Sequence, residues 1–380
     1  MVRKLFYLTP TLSSPAGMER VLHNKVLWLV KHARYDITII TTDQGQSPTF
    51  YQFPPEVKII DLDINYSSDY SLPPIKRLIS IHKKRRLHKK RLSEVLFKEH
   101  PDITIALYPS EVSVVPSIKD GSKKILEFHS NRGFRLNQGF KGIHLLVARY
   151  RCRKDTVLAR RFDRCIVLTH EAAEQWSDLD NIEVIPNSVT NTPDITADVD
   201  THRIIAVGRL IYEKGFDRLL QAWALIPDDI KGDWKLNIWG DGVLREQLNR
   251  MIAELGLDAS TEICRPTKEI FKEYAHSAFL VMSSRSEGFG MVMLEAMSCG
   301  LPVVSFDFMS GPREIIKDGV NGIIVKDGDI DALAKTMRQL IEDKTLRLEL
   351  ASHAKDVLIT FSEDRIMNMW ETCFNEICAQ

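Results

Sequence analysis

The chain lacks most of what would mark a specialised class. None of its 380 residues falls in an apolar run near the roughly 18 needed to cross a bilayer. The first apolar run, Leu5-Phe6-Tyr7-Leu8, is too short for a secretory signal and is ended by Pro10. Six cysteines (152, 165, 264, 299, 373 and 378) form no Cys-x-x-Cys pair, which argues against a disulfide framework or a zinc site and fits a reducing cytoplasm. There is no low-complexity tract and no internal repeat beyond a similarity of plan between the two halves. Familiar catalytic patterns are missing too: no Gly-x-Ser-x-Gly elbow, no Walker loop and no His-Glu-x-x-His. Net charge is also absent, since 51 Lys and Arg balance 51 Asp and Glu.

What is present is ordinary for a globular protein, with 44% hydrophobic and 27% charged residues. That composition excludes wholesale disorder and fibrous repeats. A mass of 43.5 kDa exceeds what one core usually serves, so two domains are expected. The zero net charge hides an asymmetry. Residues 1–192 carry 30 basic and 20 acidic side chains, a net of +10, and residues 193–380 carry 21 and 31, a net of −10. The basic half points to an anionic partner, nucleic acid or a membrane surface.

Short β-rich runs alternate with longer helical patterns throughout, as parallel sheets with crossover helices require. Strands are predicted near 2–9, 36–42, 57–62, 102–107, 123–128, 163–168 and 182–185. Helices are predicted near 17–33, 74–99, 111–118, 141–160 and 170–176. The second half repeats the rhythm, with strands near 203–207, 234–239, 260–264, 278–282, 302–306 and 322–325. Its helices fall near 215–227, 243–255, 267–276, 291–298, 311–317, 329–342 and 344–358. The fold class expected is α/β, two doubly wound Rossmann-like domains, a plan that binds ligands at the carboxyl ends of its strands. The polar stretch 191–200 reads as a linker. Beyond Ser362, Ile366, Met367, Trp370, Phe374 and Ile377 recur at helical spacing and need a surface to cover.

One predicted helix is unusual. Lys76 to Arg91 holds nine Lys or Arg and no acid, flanked by Ile75, Leu78, Ile79, Leu92, Val95 and Leu96. It reads either as a solvated face or as a surface for anionic lipid headgroups. Nucleic acid fits less well, because no aromatic residues are interleaved and no helix-turn-helix pattern is present.

The chemistry concentrates in the acidic half. In Ser284-Arg-Ser-Glu-Gly-Phe-Gly-Met-Val-Met-Leu-Glu295 an apolar strand runs through a Gly-x-Gly turn into a helix opening near Met291. Glycine lets backbone approach a ligand there, and the helix's free N–H groups and positive end favour phosphate. Glu287 and Glu295, eight residues apart across the turn, can address two ends of one extended ligand. Each alone reads more simply, as an acid complementing the helix dipole and as a helix-surface carboxylate. Val207-Gly-Arg-Leu-Ile-Tyr-Glu-Lys-Gly-Phe216 supplies a second strand end, with the Arg209 fork and the Lys214 point charge suited to phosphate oxygens. Singly, either cation could be an ordinary solvated loop residue. Trp239-Gly-Asp-Gly-Val243 is a third glycine turn, but Arg at 245 breaks the dinucleotide pattern. Asp61-Leu-Asp63 mimics a metal-binding Asp-x-Asp pair, but it ends an early strand far in sequence from these loops and reads as chance.

Gly-Arg-Leu-x-x-x-Lys-Gly, Gly-Asp-Gly, Glu-Gly-Phe-Gly with a second Glu eight after the first, Glu295-Ala-Met-x-x-Gly-x-Pro-Val304 and Gly319-Val-Asn-Gly322 together resemble glycosyltransferase family 4. The likeness is dense over 203–330. Earlier it rests on Ser14-Pro-Ala-Gly-Met-Glu-Arg20, His129 in Leu126-Glu-Phe-His-Ser130, and Pro186-Asn-Ser188. The first of these departs from the commoner Gly-Gly pair, with Ala16 before Gly17. The resemblance implies a GT-B fold with an inter-domain cleft, retention of anomeric configuration, a nucleotide-sugar donor with UDP as default, and no cofactor or obligatory metal. It implies that Arg209 and Lys214 hold the donor diphosphate and that Glu295 receives the ribose hydroxyls. Glu287, Gly288 and the backbone of Phe289, Gly290 and Met291 would contact sugar and phosphate, with Gly17 closing over the diphosphate. His129 would stand beside the transferred sugar, its competing reading a satisfied histidine at a strand end. Arg265 and Pro266 would pass the base.

The physics of the reaction agrees with that set. Breaking a glycosyl–phosphate bond piles charge on the diphosphate, which fixed cations and a helix N-terminus stabilise as it forms. The leaving phosphate can take the acceptor proton, so no pair of glycosidase carboxylates is required. The expected protein is therefore a cytoplasmic transferase of hexosyl or N-acetylhexosaminyl groups, associated peripherally with the inner face of a membrane. Its domains would be 1–192 for the acceptor and 193–360 for the donor, closing together over the donor, with 361–380 a final helix packing back on the first. A lipid-linked saccharide of polysaccharide or lipopolysaccharide synthesis is the expected acceptor. A nucleotide-sugar epimerase or hydrolase, and a non-enzymatic sugar-nucleotide-binding protein, stay open as alternatives.

Overall fold

A computed structural model describes residues 2–14, 17–32, 35–69, 71–132, 142–190 and 193–379. Ala16, and the first two residues of the stretch read as a linker, lie outside them. The chain divides into two compact units, Met1–Ile185 with Met367–Gln380, and Pro186–Ile366.

The first unit runs β1 (Arg3–Thr9), α1 (Gly17–Lys31), β2 (Tyr35–Thr41), β3 (Lys58–Asp61), α2 (Pro74–Glu99) and β4 (Ile103–Leu107). It continues with β5 (Lys123–Glu127), α3 (Ile143–Ala159), β6 (Arg164–Val167), α4 (His170–Gln175) and β7 (Ile182–Val184). All seven strands are parallel, in the order β3-β2-β1-β4-β5-β6-β7. The central strands are covered on both faces and so are apolar nearly throughout: every residue of β4 is buried, Thr104 included. One face packs against the inner sides of α2, α3 and α4, through Leu92 and Leu96, Ala159, and Trp176 just past α4.

The second unit runs β8 (Arg203–Val207), α5 (Phe216–Leu225), α6 (Asp228–Lys231), β9 (Lys235–Trp239), α7 (Arg245–Glu254) and β10 (Thr261–Cys264). Then come α8 (Ile270–Ala275), β11 (Phe279–Met282), α9 (Met291–Ser298), β12 (Val303–Phe306), α10 (Pro312–Ile315) and β13 (Gly322–Val325). The helices α11 (Ile330–Glu342), α12 (Lys344–Ala354) and α13 (Val357–Thr360) close the unit, and α14 (Glu363–Ala379) ends the chain. Its sheet is also parallel, in the order β10-β9-β8-β11-β12-β13. The strand order turns back between β8 and β11, the switch point at which such sheets receive ligands.

The polar stretch does not hang free. The N–H groups of Ala197 and Asp198 donate to Cys299 O (2.7 Å) and Ala275 O (2.8 Å), which ties it to the second unit. The apolar stripe of α14 is buried throughout, from Ile366 to Ile377. In the first unit its Phe374 meets Tyr35 edge-on (5.9 Å), and Tyr35 donates to Glu371 (3.2 Å).

Two helical expectations fail. Instead of a helix over 111–118 there is a single 3-10 turn at Val115–Ser117. Pro116 has no N–H to give, and its ring clashes with the preceding turn. The helix expected over 344–358 is interrupted at 355–356, dividing α12 from α13. The remaining boundaries move by a residue or a few at each end.

Candidate functional site

In the second unit the predicted residues gather at the carboxyl ends of β8 and β11. The loop after β8 makes a 3-10 turn at Tyr212–Lys214 and enters α5 through Gly215, at φ +65°. Any Cβ there would run into the Ser283 carbonyl oxygen, so only glycine brings the two loops this close. The contact is then fixed on several sides. Arg285 forms two parallel bonds to Asp217 (2.8 and 2.6 Å), donates to Tyr212 O (2.8 Å) and lies 4.1 Å over the Tyr212 ring. Burial pushes the Asp217 carboxyl up, but the Arg285 bonds and charge outweigh it, and its pKa falls below the ordinary value. Ser283 Oγ donates to Lys214 O (3.1 Å), and Arg285 N–H donates to Glu213 O (2.7 Å).

Held this way, Lys214 Nζ reaches Glu287 Oε1 at 2.5 Å, and Ser284 Oγ donates to the same oxygen at 2.7 Å. Both charged side chains are largely buried, at 16% and 14% exposure. Glu287 is therefore a loop carboxylate bound to the cation. The Arg209 side chain, at the tip of β8, is exposed and has no hydrogen bond or ion pair among the described residues, while its backbone carbonyl accepts from Ile211 N–H (2.8 Å).

The loop after β11 turns into α9 at Gly290, whose φ of +98° is a left-handed conformation that L side chains resist. The N–H groups that open α9 at Met291 and Val292, and the positive end of its dipole, are directed out of the helix, while the Met293 N–H donates to Gly290 O (2.9 Å). Phe289 is buried against Phe361 (5.8 Å), so only its backbone is available to a ligand. Glu295 is 8% exposed and accepts a bond from Tyr274 Oη (3.3 Å), which excludes an ordinary helix-surface carboxylate.

Arg265 and Pro266 follow β10 and are exposed. Arg245, which breaks the dinucleotide pattern, locks the glycine turn: it donates to Asp241 Oδ1 (3.0 Å), Gly240 O (2.5 Å) and Ile263 O (3.1 Å). Asp241 is held below its ordinary pKa by Arg245 first and by the Gly242 N–H second.

In the first unit Gly17 is the first residue of α1. His129 follows β5, its Nε2 3.1 Å from Glu127 Oε2. Glu127 is buried and takes Lys25 Nζ at 2.8 Å on both oxygens. Burial would raise its carboxyl, but Lys25 and His129 more than compensate and hold it at about 2. Burial likewise draws the Lys25 ammonium below its ordinary value while Glu127 opposes the shift. Lys25 Nζ also lies 3.6 Å over the Trp370 ring of α14. Asp61 accepts from Thr41 Oγ1 (2.9 Å) and Gly45 N–H (2.9 Å), a loop-closing role. No cluster of three or more metal-ligating side chains occurs among the described residues.

Sequence reasoning missed Arg285 and Asp217, the clamp between the loops, and Glu127 and Lys25, the support beneath His129. Arg285 and Glu127 lay inside stretches already singled out. Only the fold shows what they bind.

Comparison with known proteins follows the same outline. Residues 190–357 match the family model described as glycosyl transferases group 1. The chain is 30% identical over 276 residues to the lipopolysaccharide core biosynthesis glycosyltransferase LpsE of Rhizobium meliloti, covering 72% of this chain and 75% of that one. It is 36% identical over 189 residues to the amylovoran biosynthesis glycosyltransferase AmsD of Erwinia amylovora, covering 50% and 52%. It thus spans about half of that relative, and 24% of the length of a longer one. In structure it resembles a variant of Staphylococcus aureus TarM solved in complex with Fondaparinux, alpha-GlcNAc-glycerol and UDP (TM-score 0.78, 17% identity, 98% and 100% covered). That likeness extends to the two-unit α/β plan, the GT-B fold.

Proposed function

The chain belongs to the group 1 glycosyltransferases, and from that premise we propose that it is a retaining enzyme of family 4. It moves a hexosyl or N-acetylhexosaminyl group from a UDP-sugar to a lipid-linked saccharide in bacterial surface polysaccharide or lipopolysaccharide synthesis. Relatives named for amylovoran and lipopolysaccharide core synthesis support the acceptor class, and the UDP in the TarM complex supports the donor base.

One observation carries the reading. Free Arg209, the Lys214–Glu287 pair and the amino end of α9 all stand at the carboxyl ends of β8 and β11. In the reaction the bond from the anomeric carbon to the diphosphate breaks, and its electron pair stays with the phosphate. The acceptor oxygen bonds that carbon from the same face, and its proton passes to the diphosphate. Arg209, Lys214 and the first N–H groups of α9 stabilise the charge developing on the leaving group, as preorganised donors do.

Glu287 holds Lys214 in place and, with Gly288 and the backbone of Phe289, Gly290 and Met291, meets the sugar and phosphate. Glu295 accepts the ribose hydroxyls, and Arg265 and Pro266 pass the base. Gly17 serves the diphosphate. His129, oriented by Glu127, serves the transferred sugar. No metal takes part; Arg209, Lys214 and the first N–H groups of α9 together offset the charge that develops on the diphosphate.

Calorimetry with UDP-, GDP- and ADP-sugars, followed by transfer from radiolabelled donor to lipid extracts, tests the reading. Preferential UDP-sugar binding and acceptor-dependent transfer with retained configuration are expected. Donor turnover independent of acceptor would point instead to an epimerase or hydrolase. Nucleotide binding without transfer to any extract would make the protein a sensor.

A further inference from the structure

The first unit holds a chain of buried polar side chains that the reaction leaves unused. His88 of α2 and Glu111, four residues past β4, are each 1% exposed. His88 Nε2 stands 3.1 Å from Glu111 Oε2, and His88 Nδ1 stands 3.2 Å from the Tyr66 hydroxyl. Taking an imidazole and a carboxylate out of water is unfavourable, and an apolar pair of similar volume would serve a core as well or better. Stability alone does not account for them.

The segment that presents Tyr66 is held in an unusual shape. Asp63 (φ +48°) and Asn65 (φ +58°), in the loop that follows β3, are both left-handed, a conformation most side chains resist and Asp and Asn tolerate best. Side chains of α2 fix this loop. Arg91 donates to the Leu62 and Asp63 carbonyl oxygens (2.5 and 2.7 Å). Lys84 donates to the Asn65 carbonyl oxygen, to Ser68 Oγ (2.8 Å) and to Asp69 Oδ1 (2.7 Å). The N–H groups of Ile64 and Asn65 donate to Thr42 O (2.8 and 3.0 Å), which ties the loop to the end of β2. Lys84, His88 and Arg91 are spaced by four and three residues, so one side of α2 makes all three contacts. Tyr66 is therefore fixed in place before any ligand arrives.

The chemistry of the three groups decides which way their protons point. An ionised Glu111 offers only lone pairs, and a lone pair on Nε2 at 3.1 Å would repel it, so Nε2 carries the hydrogen. The neutral ring then keeps its lone pair on Nδ1 and can only accept there, which obliges the Tyr66 hydroxyl to donate inward. Burial first, and the Glu111 charge second, raise the Tyr66 phenol above its ordinary value, so the hydrogen stays on it. Of the three, only Tyr66 is not fully buried. What it shows outward is an oxygen whose hydrogen is already committed, and such an oxygen selects a ligand that donates.

Position says which ligand that is. Tyr108 N–H, three residues before Glu111, donates to Glu127 O (2.9 Å), so the turn that bears Glu111 adjoins the strand end that bears His129. The three groups and His129 thus share the carboxyl end of one sheet within one unit. The geometry points to Tyr66 as a specificity-determining residue that accepts a hydrogen bond from a hydroxyl group of the acceptor saccharide. His88 and Glu111 are positioning residues that set the direction of its proton. The inference rests on the acceptor reading of the previous section and adds the residue that discriminates among acceptors. A saccharide lacking that hydroxyl, or carrying it capped, leaves a fixed oxygen unpaired, which is how a polar site rejects a near-isostere.

The test has two arms. In the first, nitrogen–proton correlation spectra of the whole protein labelled at histidine, at neutral pH, read the His88 ring, its signals assigned by their loss in His88→Gln. A hydrogen on Nε2 alone is expected in the parent protein. In Glu111→Gln it should move to Nδ1, because the new amide can donate to Nε2. In the second arm, transfer from radiolabelled UDP-sugar is followed against rising amounts of the lipid extract that supports it. Tyr66→Phe removes the outward oxygen, and Glu111→Gln keeps it but turns its hydrogen outward. Each should raise the apparent acceptor KM about threefold to tenfold, with kcat and UDP-sugar affinity unchanged. Both changes act on one hydroxyl, so the double variant should be no worse than either single one. If the buried Glu111→Gln fails to fold, Tyr66→Phe and the parent spectrum still decide. A hydrogen on Nδ1 or on both nitrogens in the parent protein, an unchanged acceptor KM in Tyr66→Phe, additive losses, or a fall in kcat or donor affinity in place of the KM change would overturn the inference. A parent protein that binds donor yet transfers to no extract would overturn the acceptor reading and the saccharide at Tyr66 with it, while the spectrum alone judges the direction of the proton.

Discussion

Lys214 and Glu287 meet at 2.5 Å across 73 residues of sequence, joining the loop that follows β8 to the loop that follows β11. The pair stands at the switch point of the second sheet, where such sheets receive ligands. Its consequences can be measured.

Lys214→Ala and Arg209→Ala should each lower kcat/KM by about 10² to 10³, equivalent to about 3 to 4 kcal/mol of lost transition-state stabilisation. Arg209→Ala should leave the melting temperature unchanged, because that side chain has no partner to lose among the described residues. Steady-state kinetics beside thermal unfolding separate these outcomes, and unchanged turnover in a folded variant removes the residue from its role.

Glu295→Gln should weaken nucleoside diphosphate binding by about 1 to 3 kcal/mol, since a neutral amide replaces an acceptor of hydroxyl hydrogen bonds. Tyr274→Phe, which removes the supporting bond at 3.3 Å but leaves the carboxylate, should cost less. Titration calorimetry with UDP ranks the two. A larger loss in the Tyr274 variant would reverse the assignment.

Gly215→Ala should destabilise the second unit by several kcal/mol. The substitution forces a left-handed residue and a clash with the Ser283 carbonyl at once. Denaturant unfolding measures it, and a loss below about 1 kcal/mol would show that the two loops can separate cheaply.

The buried Glu127 sets a pH dependence. Its folded pKa of about 2 lies below the ordinary 4.5, so its stabilising contribution is present above 4.5 and disappears as pH falls toward 2. The contribution is about 3 kcal/mol at most. Melting temperatures across that window should fall in the parent protein and fall less steeply in Glu127→Gln, which starts lower because it strands Lys25. Parallel curves would show that another group titrates.

Chelation should not slow transfer, since the proposed mechanism stabilises the leaving diphosphate with Arg209, Lys214 and the first N–H groups of α9. Turnover in excess EDTA equal to turnover in added magnesium is expected. A loss restored by one metal would overturn it.

The α/β class, the parallel sheets and the outline of the loops were readable because each follows from local rules. Buried strands must be continuous and apolar, and helices must carry a 3.6-residue stripe. Tight turns must place glycine where φ is positive, as at Gly215 and Gly290. The helix expected over 111–118 does not form because Pro116 cannot sit inside an α-helical ladder. The burial of Glu295 was invisible for a different reason: a carboxylate eight residues after another looks the same whether a tyrosine from α8 covers it or water does. Arg285 and Asp217, likewise, are two unremarkable charges until the sheet order sets their loops side by side.

The sequence alone thus determined the alternation of elements, the glycine turns and the identity of the charged side chains at the strand tips, all properties of neighbours along the chain. Tertiary structure alone decided that Lys214 faces Glu287 and that Lys25 lies under Glu127 and against Trp370. Those outcomes depend on strand order and on which helix covers which face. Contacts between residues tens to hundreds of positions apart arise from packing the whole unit, and no local pattern encodes them.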